Sequence, residues 1–421
     1  MVAMHREWSP FVVSAPGKLI LFGEHAVVYG KAAIAGSLDM RAYALVTPRA
    51  DNKARMVLPD IDVDVLFDSH TLPLLQSTSL SHPSEVEALV PDSINIPEGP
   101  GRTAVLTFVY LYGCIFAERD RNTGFTICVR SLLPVGAGLG SSAAFNVALS
   151  ATLLQLTGQL REEGAGAGDR KLINQWAFHG EQVAHGTPSG IDNSVATYGG
   201  FLKYVRGEPS VNLESSHALR VLITNTNVPK STKALVAGVR ALRDQHPSVV
   251  DGVLDSIHSI SISAAALFQS VGEDEAYLER RMQDIIRINH GLLSTLGVSH
   301  RSLERVREIT AARDLASKLT GAGGGGCALT LIPGGMAGDD VEVVVREMES
   351  EGFCCYQTVV GGGGVAIARS VDGRATVEQW LAEAIARHGG SPANGGDDAY
   401  GGAVAGFVTL PGAAILELKP Q

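Results

Sequence analysis

The stretch PVGAGLGSSAAFNVALSATLL, residues 134–154, sets glycines at 136, 138 and 140 directly ahead of an apolar helical run. Alternate glycines leave no Cβ to block a ligand's approach. Ser141 and Ser142 fall at the expected helix start. A helix start there aims unpaired backbone N–H groups and the positive end of the helix dipole at one spot. Phosphate is the natural occupant of such a spot. The loop is not a Walker loop, because no Lys-Ser or Lys-Thr follows it. It is not a dinucleotide fingerprint either, because Ser141 stands where the third glycine should be. Read alone, the segment is either a phosphate cradle or a well-capped glycine turn.

Working outward, bulk properties narrow the class. A length of 421 residues with 45 % hydrophobic content can bury more than one core. A formal net charge of −10 without any Lys/Arg block argues against nucleic acid as a partner. The five cysteines (114, 128, 327, 354 and 355) contain no CxxC spacing, so neither a disulfide framework nor a zinc pattern is expected. A reducing compartment is the default expectation. The opening MVAMHREWSP lacks an apolar core of signal-peptide length. The apolar run at 103–118 is too short and too rich in tyrosine to span a bilayer and reads as a buried helix.

The pattern along the chain predicts a strand over 10–24 broken by a Pro16-Gly17 turn, and further strands over 32–50 and 124–133. Residues 51–100 read as irregular connections with short strands. Helices are expected through 140–185, with Asp169 as N-cap of a helix ending at Gly186 and 164–168 as a surface loop. A strand over 219–229 marks entry to a second domain, followed by helices to 318. KLTGAGGGGCALTLIP (318–333) is a glycine loop feeding a strand, and 357–369 reads as strand–turn–strand. Strands and helices mix without βαβ alternation, so the expected class is α+β. The expected division is 1–218, 219–388 and a tail over 389–421.

Candidate chemistry clusters around three glycine-rich segments, at 15–30, 134–144 and 318–326. Four consecutive glycines at 323–326 are entropically costly, so something must require them. Lys18 follows a Pro-Gly pair inside an apolar strand. It either snorkels to the surface or stabilises a transferring phosphoryl group. Glu24-His25 lie between apolar runs. Glu181, on an apolar-patterned helix, is a salt-bridging residue or a ligand for Mg²⁺, which takes one or two carboxylates plus phosphate oxygens. Asp192, in the loop HGTPSGIDN, is an Asx-turn residue or an acceptor for a substrate hydroxyl proton. His179-Gly180-Glu181 matches the HxE of zinc deaminases, but no PCxxC follows it, and His185 has no third partner.

Five segments together resemble the GHMP kinases, and within that family the branch that phosphorylates mevalonate. They are SAPGKLILFGEHAVVYGK (14–31), PVGAGLGSSAAF (134–145), INQWAFHGEQVAHGTPSGIDN (173–193), TNTNVPKSTKALVAGVR (224–240) and SKLTGAGGGGCALTL (317–331). The resemblance spans roughly residues 10 to 385. It implies a two-domain α+β fold, ribosomal-protein-S5-like in its N-terminal half and ferredoxin-like in its C-terminal half, with the site in the cleft between them. It implies ATP- and Mg²⁺-dependent phosphorylation of the primary hydroxyl of mevalonate, in isoprenoid and sterol precursor synthesis.

Residue roles follow from the same resemblance. Pro134, Gly136, Ala137, Gly138, Leu139, Gly140, Ser141 and Ser142 would cradle the ATP phosphates. Ser142 and Glu181 would hold Mg²⁺. Asp192 would take or orient the hydroxyl proton, with Lys18 beside it. Glu24, His25, Ser189, Thr232, Gly323 and Gly324 would lie on the substrate side. Val135 stands where animal members of the branch have a second proline, and position 230 is Lys rather than Arg. The family also implies a homodimer without nucleic-acid or membrane partners. A cytoplasmic location is expected. A peroxisome-like organelle is the alternative, because Lys18-Leu19 and His25-Ala26 fit an import nonapeptide that overlaps the kinase motif. A sugar kinase should carry a GRxNLIGEHxDY-type first motif, which this chain lacks. A non-enzymatic sensor on the same fold would tend to lose Lys18, Ser142, Glu181 or Asp192, all of which are present.

Overall fold

The computed structural model describes residues 8–369, apart from 73–82, 89, 91–98, 118, 120, 122, 135, 162–165, 216–217 and 271–273. The tail expected over 389–421 and the Val135 position lie outside the described residues. The strands are β1 (Phe11–Phe22), β2 (Ala33–Arg49), β3 (Lys53–Leu58), β4 (Val63–Asp68), β5 (Gly124–Ser131), β6 (Phe201–Tyr204), β7 (Val211–Leu213), β8 (Leu219–Asn225), β9 (Ser317–Leu319), β10 (Cys327–Leu331), β11 (Cys354–Val360) and β12 (Ala366–Arg369). The α-helices are α1 (Pro83–Glu87), α2 (Pro100–Ile115), α3 (Ser141–Leu156), α4 (Ala167–His185), α5 (Ile191–Tyr198), α6 (Thr232–Gln245), α7 (Pro247–Gln269), α8 (Glu275–Thr295), α9 (Arg301–Ala311) and α10 (Gly338–Ser350).

One mixed sheet joins all the described strands. Its path runs β4-β3-β5-β2-β11-β8-β10-β9, with β1, β6, β7 and β12 branching from it. The pairing of β3 with β5 is parallel, and the other strand pairings are antiparallel. The long β2 is the spine. Its residues Ile34, Leu38, Met40, Ala42, Ala44 and Val46 alternate into the main core, as a pleated strand requires. The sheet runs through the expected boundary at 218/219. There β11 meets β2 at Val360↔Leu38 and β12 pairs with β1. A second core gathers α7–α10 against β8–β10, with Leu254, Ile257, Leu293, Val306 and Met348 at its centre.

The helix α3 is buried on nearly every side from Ala143 to Leu154, with Asn146, Ser150 and Thr152 enclosed among its small and apolar residues. It packs against α4, β1 and β2. Its N-terminus is therefore held rigidly where the glycine loop arrives. No described helix is long and apolar enough to cross a membrane.

Several expected boundaries shift. Pro16-Gly17 does not break the first strand. It is an irregularity inside β1, where the register against β2 slips between the two residues. Asp169 is not the N-cap of α4. That position is Gly166, so the expected 164–168 loop is helical from Ala167, and Asp169 is buried in the first turn. The strand expected over 219–229 ends at Asn225. The 357–369 segment supplies two strands that do not pair with each other, since β11 pairs β8 and β2 while β12 pairs β1. Their glycine link, 361–364, is pinned instead by Arg41, which donates to the carbonyls of Gly363 (3.0 Å) and Gly364 (2.6 Å).

Candidate active site

The glycine loop is stitched to β1. The Lys18 amide donates to the Leu139 carbonyl at 2.8 Å. Gly17 makes that approach possible, because a Cβ there would lie 2.7 Å from the Leu139 oxygen. Gly136, Gly138 and Gly140 all have positive φ (76°, 82° and 80°), a conformation glycine adopts without strain. Gly140 is also the N-cap of α3, and a Cβ on it would stand 3.0 Å from the Lys18 amide nitrogen. The first intrahelical bond is Ala144 N to Gly140 O at 3.0 Å, so the amides of Ser141, Ser142 and Ala143 are left for another partner.

This stitching delivers Lys18 to the loop. Its ammonium lies 3.0 Å from the Asp192 carboxylate, on the first turn of α5. The lysine is buried and the aspartate half-exposed, so the pair faces an opening.

On the other side of the loop, the Ser142 hydroxyl donates to Glu181 Oε1 at 2.7 Å, and Asn146 Nδ2 donates to the same oxygen at 2.6 Å. His185 Nε2 stands 3.1 Å from the Ser142 hydroxyl and 3.9 Å from Glu181 Oε2. Burial pushes the Glu181 pKa up. The Ser142 bond, His185 and the Asn146 bond offset part of that, and the Asp192 charge adds to it. Asn146 Oδ1 is buried without a partner. A carboxylate, a hydroxyl and an orphaned carbonyl oxygen form a hard-oxygen donor set, which suits Mg²⁺ completed by phosphate oxygens. Among the described residues no group of three His, Cys, Asp or Glu comes together.

A cavity of about 250 Å³ adjoins Ser141 and Ser142. Its walls are mainly apolar, from Leu58, Ile61, Ala104, Val129 and Phe145. Sequence reasoning missed it, because the lining comes from β3, β5, α2 and α3. Asn146 lies four positions after Ser142 but shares its helix with Ser150 and Thr152, and only its contact with Glu181 gives it a role.

The expected substrate-side residues do not all reach the opening. Glu24 is fully buried in an ion pair with Lys318, and Asn289 Nδ2 donates to its second oxygen at 3.2 Å. Burial pushes the Glu24 pKa up against the counter-pull of Lys318, and pushes that of Lys318 down against Glu24. Its carboxylate therefore ties the segment after β1 to β9 and does not line the cleft. His25 has a positive φ of 60°, and its Nε2 stands 2.8 Å from the Ala322 carbonyl. Burial lowers its pKa, which favours the neutral ring.

Ser189 and Thr232 are exposed, Ser189 capping Ile191 N at 3.4 Å and Thr232 opening α6. Gly323 and Gly324 have positive φ and pack on the Val298 carbonyl and Leu235. Gly325 abuts Val228 and Gly326 abuts Lys230. Close packing and left-handed backbone thus account for the run of four glycines. Of the expected phosphate cradle, Gly136 and Gly138 are exposed, Pro134, Gly140, Ser141 and Ser142 half-buried, and Ala137 and Leu139 buried, turned into the core.

An anion cradle at a helix N-terminus, a Lys–Asp pair and a hard-oxygen site, all around one loop, suit phosphoryl transfer. Profiles of the GHMP kinases N terminal domain and the GHMP kinases C terminal match residues 107–200 and 275–352. The chain is 42 % identical over 388 residues to the mevalonate kinase of Homo sapiens, covering 86 % of this chain and 96 % of that one. It therefore belongs to the GHMP kinases, among the mevalonate kinases of that family. The mevalonate kinase of Arabidopsis thaliana is 41 % identical over 380 residues, covering 84 % of this chain and 98 % of that one. Solved structures share the fold. The Methanococcus jannaschii mevalonate kinase has a TM-score of 0.65 at 22 % identity, covering 83 % of this chain and 98 % of that one. The L. major mevalonate kinase in complex with R-mevalonate has a TM-score of 0.60 at 23 % identity, covering 83 % and 96 %.

Proposed function

We propose that the protein transfers the γ-phosphoryl group of ATP to the primary hydroxyl of mevalonate, giving 5-phosphomevalonate for isoprenoid synthesis. The observation that carries the reading is the Lys18–Asp192 pair, 3.0 Å apart and set beside the α3 N-terminus by the Lys18–Leu139 backbone bond. Asp192 accepts the hydroxyl proton or orients the hydroxyl. Lys18 pairs with Asp192 and offsets charge on the transferring group.

Amides at the start of α3 and the glycine loop position the phosphates. The apolar cavity beside Ser141 takes the nucleotide's base. Ser142 and Glu181, steadied by Asn146, hold Mg²⁺, which supplies positive charge to the phosphate oxygens. His25, Ser189 and Thr232 stand on the side of the substrate. The reaction balances without a covalent intermediate. The hydroxyl oxygen bonds to the γ-phosphorus as the bond to the bridging oxygen breaks, and the electron pair leaves with ADP.

A cytoplasmic enzyme is the accompanying reading, supported by five cysteines that are all free. The homodimer expected of the family is tested by sedimentation velocity. The activity is tested by an ADP-release assay with Mg-ATP, offering mevalonate, galactose, homoserine and phosphomevalonate in parallel. Turnover with mevalonate alone is expected. Turnover with another acceptor in its place, or none beside clear ATP binding, overturns the reading.

A further inference from the structure

Lys230 immediately precedes Ser231, the N-cap of α6. Its side chain is half-buried and threads between the two glycine segments. The Nζ lies 3.6 Å from where a Cβ on Gly138 would stand and 3.8 Å from the same point on Gly321. A Cβ on Gly326 would collide with the end of the chain, its Cε being only 2.7 Å away. The missing Cβ of Gly326 makes room for this lysine, and Gly138 and Gly321 stand beside its ammonium at ordinary contact distance. Gly140 abuts the Lys18 backbone and Gly138 abuts the Lys230 ammonium, so the phosphate loop lies between two lysines.

Lys18 is paired with Asp192, whereas Lys230 has no carboxylate partner among the described residues. Its electrostatic neighbours are the Cys327 thiol and the Lys18 ammonium. Burial lowers its pKa, and Lys18 lowers it further. The Cys327 thiol is itself pushed up to about 11 and carries no charge at neutral pH. A half-buried cation repelled by its neighbour is destabilising unless an anion joins it. The anion that fits lies against Gly138, in the phosphate loop.

We propose that Lys230 is a further catalytic residue, whose ammonium contacts the γ-phosphoryl group of ATP and holds it against the loop during transfer. The proposal rests on the kinase reading for its reaction but not for its binding. As the γ-phosphorus leaves the bridging oxygen for the mevalonate hydroxyl, charge spreads over oxygens that two ammonium groups flank, one from each side of the loop. Lys230 forms no bond and transfers no proton in the step.

The test uses Lys230→Gln and Lys230→Arg in the full chain. The glutamine variant should lower kcat by about 100- to 1000-fold, as loss of one fixed donor to a developing charge does. The arginine variant should recover much of the loss. Affinity for a non-hydrolysable ATP analogue should fall about tenfold in Lys230→Gln while ADP affinity stays within about twofold, because the lost contact is to the terminal phosphate. The melting temperature of the unliganded glutamine variant should equal or exceed that of the wild type. A higher KM for mevalonate at unchanged kcat would overturn the proposal by placing Lys230 on the substrate carboxylate. Equal losses for ATP analogue and ADP would overturn it by making Lys230 a prop for the loop. If the wild type fails to phosphorylate mevalonate, the analogue-over-ADP dependence on Lys230 still decides the γ-phosphate contact separately.

Discussion

The Lys18 ammonium lies 3.0 Å from the Asp192 carboxylate, and the two come from elements 174 positions apart in sequence, the middle of β1 and the first turn of α5. Asp192→Asn keeps the shape and removes the base and the countercharge. Turnover should fall by about 10²- to 10⁴-fold, the usual span for a positioned base, with nucleotide affinity preserved. Lys18→Met should cost a similar amount, and the double variant little more than either, because the two act as a unit. Steady-state kinetics with isothermal titration of an ATP analogue check all three. Additive losses would mean separate roles.

Glu181 is buried, and desolvation raises its pKa. A cation needs the ionised form, so metal binding at this site should release protons at acid pH and weaken as pH falls. The Mg²⁺ concentration for half-maximal activity should therefore rise on the acid side, and should rise several-fold at neutral pH in Ser142→Ala. Asn146→Ala should shift the same curve by leaving Glu181 Oε1 less firmly held. A Mg²⁺ titration at two pH values gives the result.

Breaking the buried Glu24–Lys318 pair should be expensive. Glu24→Gln leaves the Lys318 ammonium buried and unpaired, at a cost of about 3–5 kcal/mol. Glu24→Gln combined with Lys318→Met removes both charges and should recover most of that. Denaturant unfolding of the two variants separates a structural tie from a substrate contact, which would change KM and leave stability alone.

Two glycines with the same backbone sign should behave differently. Gly136 has φ 76° and open space around it, so Gly136→Ala costs about 1–2 kcal/mol for the left-handed backbone alone. Gly323 has φ 79°, and a Cβ on it would run into the Val298 carbonyl, so Gly323→Ala adds a steric collision to the same strain. The second variant should melt well below the first. Equal melting temperatures would refute the packing account of the four-glycine run.

Glu304 would be raised by burial, but bonds from Ser299, His290 and Arg307 bring its pKa down to about 2. A depressed carboxylate stabilises above its unfolded value of 4.5 and loses that contribution as pH falls toward about 2. Glu304→Gln should cost about 1 kcal/mol or less at pH 7, because a third of the side chain stays in water. The difference from wild type should vanish near pH 2, as thermal melts across that range would record.

Much of the candidate site was legible because it is local. The glycine loop and the serines after it define the α3 N-terminus by backbone geometry alone, and Lys18, Glu181 and Asp192 each stand in short motifs of fixed spacing. The apolar run of α3 and the alternation along β2 needed no tertiary information either, since burial follows from hydrophobic period. The N-cap of α4 was misread because a glycine can take a capping conformation without offering a side-chain signal.

The sequence by itself determined where the glycine loop meets the α3 N-terminus and where most elements form, since backbone conformation and hydrophobic period act over a few residues. Only the tertiary structure decided who meets whom. Whether Glu24 faces solvent or Lys318 depends on contacts 294 positions apart. That β12 joins β1 and not β11, that Asn146 reaches Glu181, and that Lys230 has no carboxylate beside it among the described residues depend on packing of the same kind. A side chain's charge is written in the sequence, but its partner is set by which distant backbone the close-packed core brings within a few ångströms.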